Sequence, residues 1–328
     1  MASAWNLDRY CSCVHHLELN ILKAGKILPN LRQVTTAAIT RNYPFYSGCG
    51  SCANSRIVKL MSGSQGGKAW CRVPGGEVLA DLNDYVGRAA YFVGDLDRKI
   101  TWICKQIVRR GDTVFDIGAN IGMVTVLLSD LVGANGTVHS FEPNPALSND
   151  LEQTIERNKM GNTKLHPIAL GAEKGTLELI VPKGNKGAAS LVRNKGNADC
   201  NIVNVPVMPL DALCNDEKIN SIRLIKIDVE GFERDVFLGA EQVLTTIRPD
   251  AILFELNERT QNQFSEEPLI KLLHSFGYGF LAIPKSIFQM KLKIWDIESD
   301  QVVTGHDFLA SPKGKKFEEI AQLVKAVR

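Results

Sequence analysis

Lys226, Asp228 and Glu230 alternate with Ile225, Ile227 and Val229, which puts three ionisable groups on one face of a stretch that otherwise reads as a strand. A parallel strand covered by helices should be apolar on both faces. Taking charges out of water there is costly unless they are paired or used. One use is proton transfer, because a carboxylate within hydrogen-bonding reach can take the proton of a hydroxyl as its oxygen reacts. Asp228 is the first candidate for that role and Glu230 the second. The structural alternative is a Lys226–carboxylate pair that only satisfies itself. Glu255, in Phe254-Glu255-Leu256-Asn257, adds a further carboxylate to the same rim. Such carboxylates could instead hold a divalent cation that lowers the pKa of an acceptor, but no metal ligand set is assigned.

A second constellation lies upstream. Thr113 to Ile117 is a short apolar run with β-branched residues. It breaks into Gly118-Ala119-Asn120-Ile121-Gly122 and resumes as the helix-compatible segment 123–131. A strand, a glycine-rich turn and a helix make the first half of a βαβ unit, and ligands of open α/β sheets sit at that point. The dinucleotide fingerprint has a middle glycine that admits a diphosphate; here that glycine is missing and Asn120 stands nearby. Asp116, at the end of the strand, suits a cationic or hydroxyl-rich ligand, such as an amino-acid moiety with its ammonium group. Glu142 closes the next strand, 24 residues after Gly118, where an acid commonly accepts hydrogen bonds from ribose hydroxyls. An acid there could also complement a helix dipole, but Asn144-Pro145 already starts that helix.

The elements that must position these groups alternate. Strands are predicted over 113–117, 137–141, 164–170, 222–228, 251–256 and 278–283, with a last one near 308–310. Helices are predicted over 99–108, 123–131, 144–159, 231–247, 266–276 and 317–327. Residues 175–181 and 201–207 read as β-like flanks of a loop containing Lys183, Lys186, Arg193 and Lys195, which could close over an acceptor. Alternating β and α with short turns means a parallel sheet with helices on both faces. Upstream, 68–73 and 78–82 read as a hairpin. Residues 1–70 read as a loosely organised N-terminal extension, with a short helix around Leu17 to Ile27, followed by a catalytic domain over 71–328.

Composition narrows the functional classes. The 328 residues are 45% hydrophobic, enough for a sizeable core. A net charge of +2 gives no global bias towards nucleic acid or a membrane surface, and no apolar run has the length of a membrane span. The N-terminus lacks a secretory pattern, so a cytoplasmic location is expected. Of eight cysteines, Cys11, Cys13, Cys49 and Cys52 could join His15 and His16 in a zinc site, but the spacing matches no common one. Free thiols are expected instead. His139 and His166 are expected within strands as structural residues.

In order along the chain, Asp116-Ile-Gly-Ala-Asn-Ile-Gly122, Phe141-Glu142-Pro143-Asn144-Pro145, Val207-Met-Pro-Leu-Asp211-Ala-Leu213, Lys226-Ile-Asp-Val-Glu-Gly-Phe-Glu233 and Phe254-Glu255 resemble the FkbM family of S-adenosylmethionine-dependent methyltransferases. The resemblance covers roughly residues 85–312 and leaves 1–70 outside. It implies a class I methyltransferase fold, a Rossmann-like α/β sheet of seven strands with the last one antiparallel. It also implies S-adenosylmethionine as cofactor, held by Asp116, Gly118, Ala119, Asn120, Gly122, Glu142, Asn144 and Ala169. The turn would lie under the methionine part, Glu142 on the ribose, and Ile168-Ala169 beside the adenine. Asp228 and Glu230 would face the methyl-transfer centre. The expected activity is O-methylation of a hydroxyl on a small molecule or sugar. The rivals are a cofactor-binding protein without turnover and an NAD(P)-dependent oxidoreductase, the latter disfavoured by the missing glycine.

Overall fold

The computed structural model describes residues 30–63, 66–182, 191, 200–256, 264–285, 290–298 and 306–326. The predicted helix around Leu17, together with Cys11, Cys13, His15, His16 and the four basic residues of the 183–195 loop, lies outside the described residues.

Residues 30–63 are helical and packed, unlike the loose extension expected there. Asn30 and Gln33 form a reciprocal capping box that starts α1 (Leu31–Thr40). Two short helices follow, α2 (Cys49–Asn54) and α3 (Arg56–Ser62), the latter capped by Ser55. Strands β1 (Lys68–Val73) and β2 (Gly76–Asp81) form the expected antiparallel hairpin, and α4 (Tyr85–Phe92) packs beside it. Ala37, Cys49, Ala53 and Val58 share one buried cluster with Val78, Phe92, Ile121, Val126 and Leu147. Arg41 donates to the carbonyls of Arg72, Ala90 and Tyr91, and Arg88 donates to Ala53. Glycine and serine turns mask these helices in the sequence, because what orders them is arginine capping of carbonyls far away along the chain.

After α5 (Arg98–Ile107) come β3 (Thr113–Ile117), α6 (Met123–Val132), β4 (Thr137–Phe141), α7 (Pro145–Asn158) and β5 (Thr163–His166). Next are β6 (Ala169–Leu170), β7 (Gly175–Pro182), β8 (Cys200–Met208), α8 (Leu210–Asp216), β9 (Leu224–Ile227) and α9 (Glu233–Leu238). A π-helical turn (Val243–Ile247) precedes β10 (Ala251–Glu255). The chain continues through α10 (Pro268–Ser275), β11 (Tyr278–Ile283), β12 (Lys293–Trp295), β13 (Asp307–Pro312) and α11 (Lys315–Leu323).

The main sheet has the order β12-β11-β13-β10-β9-β3-β4-β5. Its strands β10, β9, β3, β4 and β5 are paired in parallel, and β13 enters antiparallel between β10 and β11. That is the expected seven-stranded class I arrangement, with β12 as an added edge strand. The predicted strand 164–170 is split: β5 belongs to the main sheet, whereas β6 joins β7 and β8 in a separate sheet. Pro167 lies at the break, where it can donate no ladder hydrogen bond.

Alternation along the strands divides the core into two. Phe115, Ile117, Ile225, Ile227, Ile252 and Phe254 face one cluster with Val236, Phe237 and Leu273. Val114, Leu224, Ala251 and Leu253 face the other, with Ile103 and Ile107 of α5 and Ile320 of α11. The two-sided apolar strands therefore exist because helices cover both faces. Strand order reverses at β3 and β9, and the crevice at their carboxyl ends is where such a sheet binds ligands.

Candidate functional site

The glycine turn is built by its own backbone. Gly118, Asn120 and Gly122 all have left-handed φ angles, of 77°, 54° and 89°. A Cβ on Gly118 would lie 1.9 Å from the carbonyl oxygen of Asp228, so only glycine allows β3 and the end of β9 to approach this closely. Every N–H from residue 118 to 122 is spent inside the chain. Gly118 and Ala119 donate to the carbonyl of Phe141 (3.0 and 2.9 Å), and Asn120 donates to Glu142 Oε2 (2.7 Å). Ile121 donates to Asn120 Oδ1 (2.8 Å), and Gly122 to the carbonyl of Ala119 (2.9 Å). A diphosphate would need those N–H groups as donors. With none left over, the turn suits a ligand without phosphates, which removes the physical basis of the NAD(P) reading.

Above the crevice is a cavity of about 490 Å³. Gly118, Ala119, Asn120, Glu142 and Ala169 line one end, and Lys226, Asp228, Glu230, Glu255 and Asp307 line the other. The structure thus brings together seven of the ten residues singled out from the sequence. The other three stand behind the wall. Asp116 is fully buried; it accepts from Thr125 Oγ1 (2.6 Å) and lies 3.3 Å from Lys226 Nζ. Its cationic partner is therefore a lysine of this chain, because the register sets Asp116 directly beside Lys226. Gly122 starts α6 and backs onto Leu151. Asn144 caps α7 with its side chain (3.1 Å to Ala146 N) and donates its own N–H to Glu142 Oε1 (2.9 Å). These three act on the wall from behind it.

Glu142 is accordingly held at both oxygens by backbone N–H groups while it faces the cavity. Burial raises its carboxyl to about 7, against the lowering effect of the Asn144 and Asn120 N–H bonds. Lys226 donates to the Gly118 carbonyl (3.0 Å) and lies 4.0 Å from Asp228. Burial alone would lower this ammonium, but Asp116 and Asp228 outweigh it and hold it above its ordinary value. Glu230 occupies a left-handed position, φ 53°. Although the residue is solvent-exposed, partial burial at the cavity mouth raises its carboxyl to about 7, with repulsion from Asp228 and Glu233 adding to that. Glu255, an exposed residue at the end of β10, rises to about 8, first from partial burial and then from Asp307, Asp228 and Glu230.

Sequence reasoning missed a cluster contributed by α5 and β13. Lys99 is buried and paired to Asp307 and to Asp97 (3.2 Å). Burial moves the Asp97 carboxyl up to about 6, with Asp307 adding to it and Lys99 opposing. A lysine beside Ile100 and Ile103 on an amphipathic helix was the available signal, but its partner lies 208 residues away. The upstream segment also supplies wall residues, among them Tyr85, Asp95 and Leu96. His139 and His166 lie on β4 and β5 with Nδ1 and Nε2 3.1 Å apart, away from the cavity lining. Among the described residues, no group of three or more His, Cys, Asp or Glu side chains is arranged to hold a metal ion. No described helix is long and apolar enough to cross a membrane. Cys49, Cys52, Cys71, Cys104, Cys200 and Cys214 are free thiols.

Residues 116–280 match the family model of the methyltransferase FkbM domain. The chain is 28% identical over 198 residues to the 31-O-demethyl-FK506 methyltransferase FkbM of Streptomyces tacrolimicus, covering 52% of this chain and 75% of that protein. It is also 28% identical over 186 residues to methyltransferase 1 of Beauveria bassiana (strain ARSEF 2860), covering 50% and 74%. Among solved structures, it aligns with a methyltransferase FkbM from Methylobacillus flagellatus KT at 12% identity and a TM-score of 0.40, over 85% of this chain and 59% of the other.

Proposed function

The chain belongs to the FkbM family of S-adenosylmethionine-dependent methyltransferases, and from that premise we propose that it methylates a hydroxyl oxygen of a small molecule or sugar. The cofactor would occupy the glycine-turn end of the cavity and the acceptor the acidic end. The observation that carries this reading is the turn itself. Its N–H groups are all used internally, while a doubly held Glu142 carboxylate faces the cavity. Such a surface rejects phosphate and accepts hydroxyl donors and cations. S-adenosylmethionine offers both, in its ribose and in its ammonium and sulfonium groups, and its adenine fits the apolar wall at Leu147, Ile168 and Ala169.

Bound there, the cofactor supplies an electrophilic methyl group, and what remains for the protein is alignment and proton removal. Gly118, Ala119 and Asn120 would support the methionine part, Glu142 would accept from the ribose hydroxyls, and Ala169 would flank the adenine. Asp116 and Asn144 would serve from behind, by fixing Lys226 and Glu142. Asp228 and Glu230 stand on the rim as candidate acceptors of the hydroxyl proton. The Streptomyces relative has O-methylation in its name, which supports oxygen as the accepting atom.

The test is calorimetric titration with S-adenosylmethionine and S-adenosylhomocysteine, followed by labelled methyl transfer from S-adenosylmethionine into a small-molecule extract. Micromolar binding of both, with label recovered in a methyl ether, is expected. Label recovered only on nitrogen would replace the oxygen reading, and absence of binding in folded protein would end it.

A further inference from the structure

The sheet register lays a row of charged side chains across the acceptor end of the cavity. Asp116 on β3 pairs with Lys226 on β9, Lys226 pairs with Leu253 on β10, and Glu255, two residues on, stands opposite Asp307 on β13. Because side chains alternate along a strand, all of these point to the sheet face that α5 covers. Among the described residues, the two lysines near the row are already shared between acids. Lys226 lies between Asp116 and Asp228, and Lys99 between Asp307 and Asp97. Glu255 stands between the two groups. Among the described residues, no ion pair or hydrogen bond engages its carboxylate, which opens into the cavity.

We propose that Glu255 is the catalytic base, taking the acceptor's hydroxyl proton in preference to Asp228 or Glu230, and that Asp97, Lys99 and Asp307 are positioning residues for it. This rests on the hydroxyl reading given above. A proton arriving on Asp228 would disturb its pair with Lys226, whereas a proton arriving on Glu255 disturbs no pair and relieves its repulsion from three acids. Among the described residues, the charged and titratable groups facing Glu255 are Asp307, with His306 beside it, on the β13 side, Lys226 on β9 with Asp228 and Glu230 after it, and Lys99 and Asp97 from the α5 side. Of these, Lys99 lowers its proton affinity, while Asp307, Asp228 and Glu230 raise it. The step balances: the acceptor oxygen bonds the methyl carbon as the carbon–sulfur bond breaks, sulfur keeps that electron pair, and the hydroxyl proton passes to a Glu255 carboxylate oxygen. A cation beside Glu255 favours its ionised form before the transfer, and loss of that cation favours the proton afterwards.

Two measurements test this. In protein carrying carboxyl-¹³C glutamate, the Glu255 signal is assigned by its disappearance in Glu255→Gln and titrated by NMR. S-adenosylmethionine should lower its midpoint by about one pH unit, whereas neutral S-adenosylhomocysteine should not. In the extract assay, Glu255→Gln should lower the labelling rate about 100-fold with S-adenosylmethionine affinity kept, and Glu255→Asp should restore part of the rate. A midpoint that ignores the sulfonium, or a Glu255→Gln protein as fast as wild type, overturns the proposal and leaves the methyltransferase reading intact. Binding without any labelling by the wild-type protein overturns both. Thermal unfolding of each variant separates loss of rate from loss of fold.

Discussion

The two ends of the cavity are built on opposite principles. At the glycine-turn end the backbone donors that could meet a ligand already have partners in the chain. The N–H groups of 118–122 are spent, and both Glu142 oxygens are held by backbone. At the acidic end, Asp228, Glu230, Glu255 and Asp307 crowd together near Lys226 and Lys99. The first end presents a surface fixed by its own hydrogen bonds. The second stores electrostatic repulsion that a cationic or proton-donating ligand relieves. Pre-organisation and poise are thus separated by less than the length of one cavity, and substitutions at the two ends should fail in different ways.

The largest effect is expected where the ends meet. Gly118→Ala sets a Cβ against the Asp228 carbonyl at a left-handed φ. It should cost about 3 kcal/mol of stability and abolish cofactor binding, as read by chemical denaturation and calorimetry. Gly161→Ala, where a Cβ meets nothing within 4 Å, is the control and should be silent. If Gly118→Ala is equally silent, the two ends are not joined as described.

Lys226→Met comes close behind. It leaves Asp116 as a fully buried acid without its cation, at a cost of about 3 kcal/mol. Adding Asp116→Asn should recover most of the loss in urea unfolding. No recovery would mean that Lys226 matters for Gly118 and Asp228 rather than for Asp116. Glu142→Gln should be milder. One of its two backbone partners is orphaned, and S-adenosylhomocysteine should bind about tenfold more weakly, while labelling at saturating cofactor is kept.

The smallest effect is in pH dependence. Glu142, Glu230 and Glu255 have folded pKa values of about 7, 7 and 8, above the ordinary 4.5. Between those limits the folded state holds more protons than the unfolded one, so their contribution is complete at low pH and is lost as pH rises through 7 to 8. His139 is depressed to about 4, chiefly by burial and then by His166, so its contribution instead falls as pH drops below 6.5. The melting temperature of the wild-type protein should therefore decline from pH 6.5 to about 8 and level off above that, and the decline should be shallower in Glu142→Gln. An unchanged slope would show that the acidic end alone carries the decline.

Much of the fold was legible because strand and helix periods are local. Alternation of β and α and the start at Asn144-Pro145 need only neighbouring residues. The site was legible in part. Glu142 and Asp228 stood out as charges at the ends of apolar strands, and both line the cavity. Asp116 stood out for the same reason, yet its carboxylate turns to Lys226. What faces a charge across a sheet depends on register, and register is not written in the strand that carries the charge. Residues 30–63 were illegible for a related reason, since beyond their local caps they are tied down by arginines that link distant parts of the chain.

By itself, the sequence determined the parallel sheet with helices on both faces, the glycine turn that carries no diphosphate fingerprint, and the acids at the carboxyl ends of the strands. These are properties of short segments, set by side-chain period, by proline and glycine, and by the expense of burying charge. Only the tertiary structure decided which acids meet which cations. Asp116 and Asp228 share Lys226, Asp97 and Asp307 share Lys99, and Glu255 is left between them. The physical reason is that a Coulomb interaction depends on distance in space, and strand order β10-β9-β3 with β13 inserted antiparallel places side by side groups that lie up to 208 residues apart in the chain.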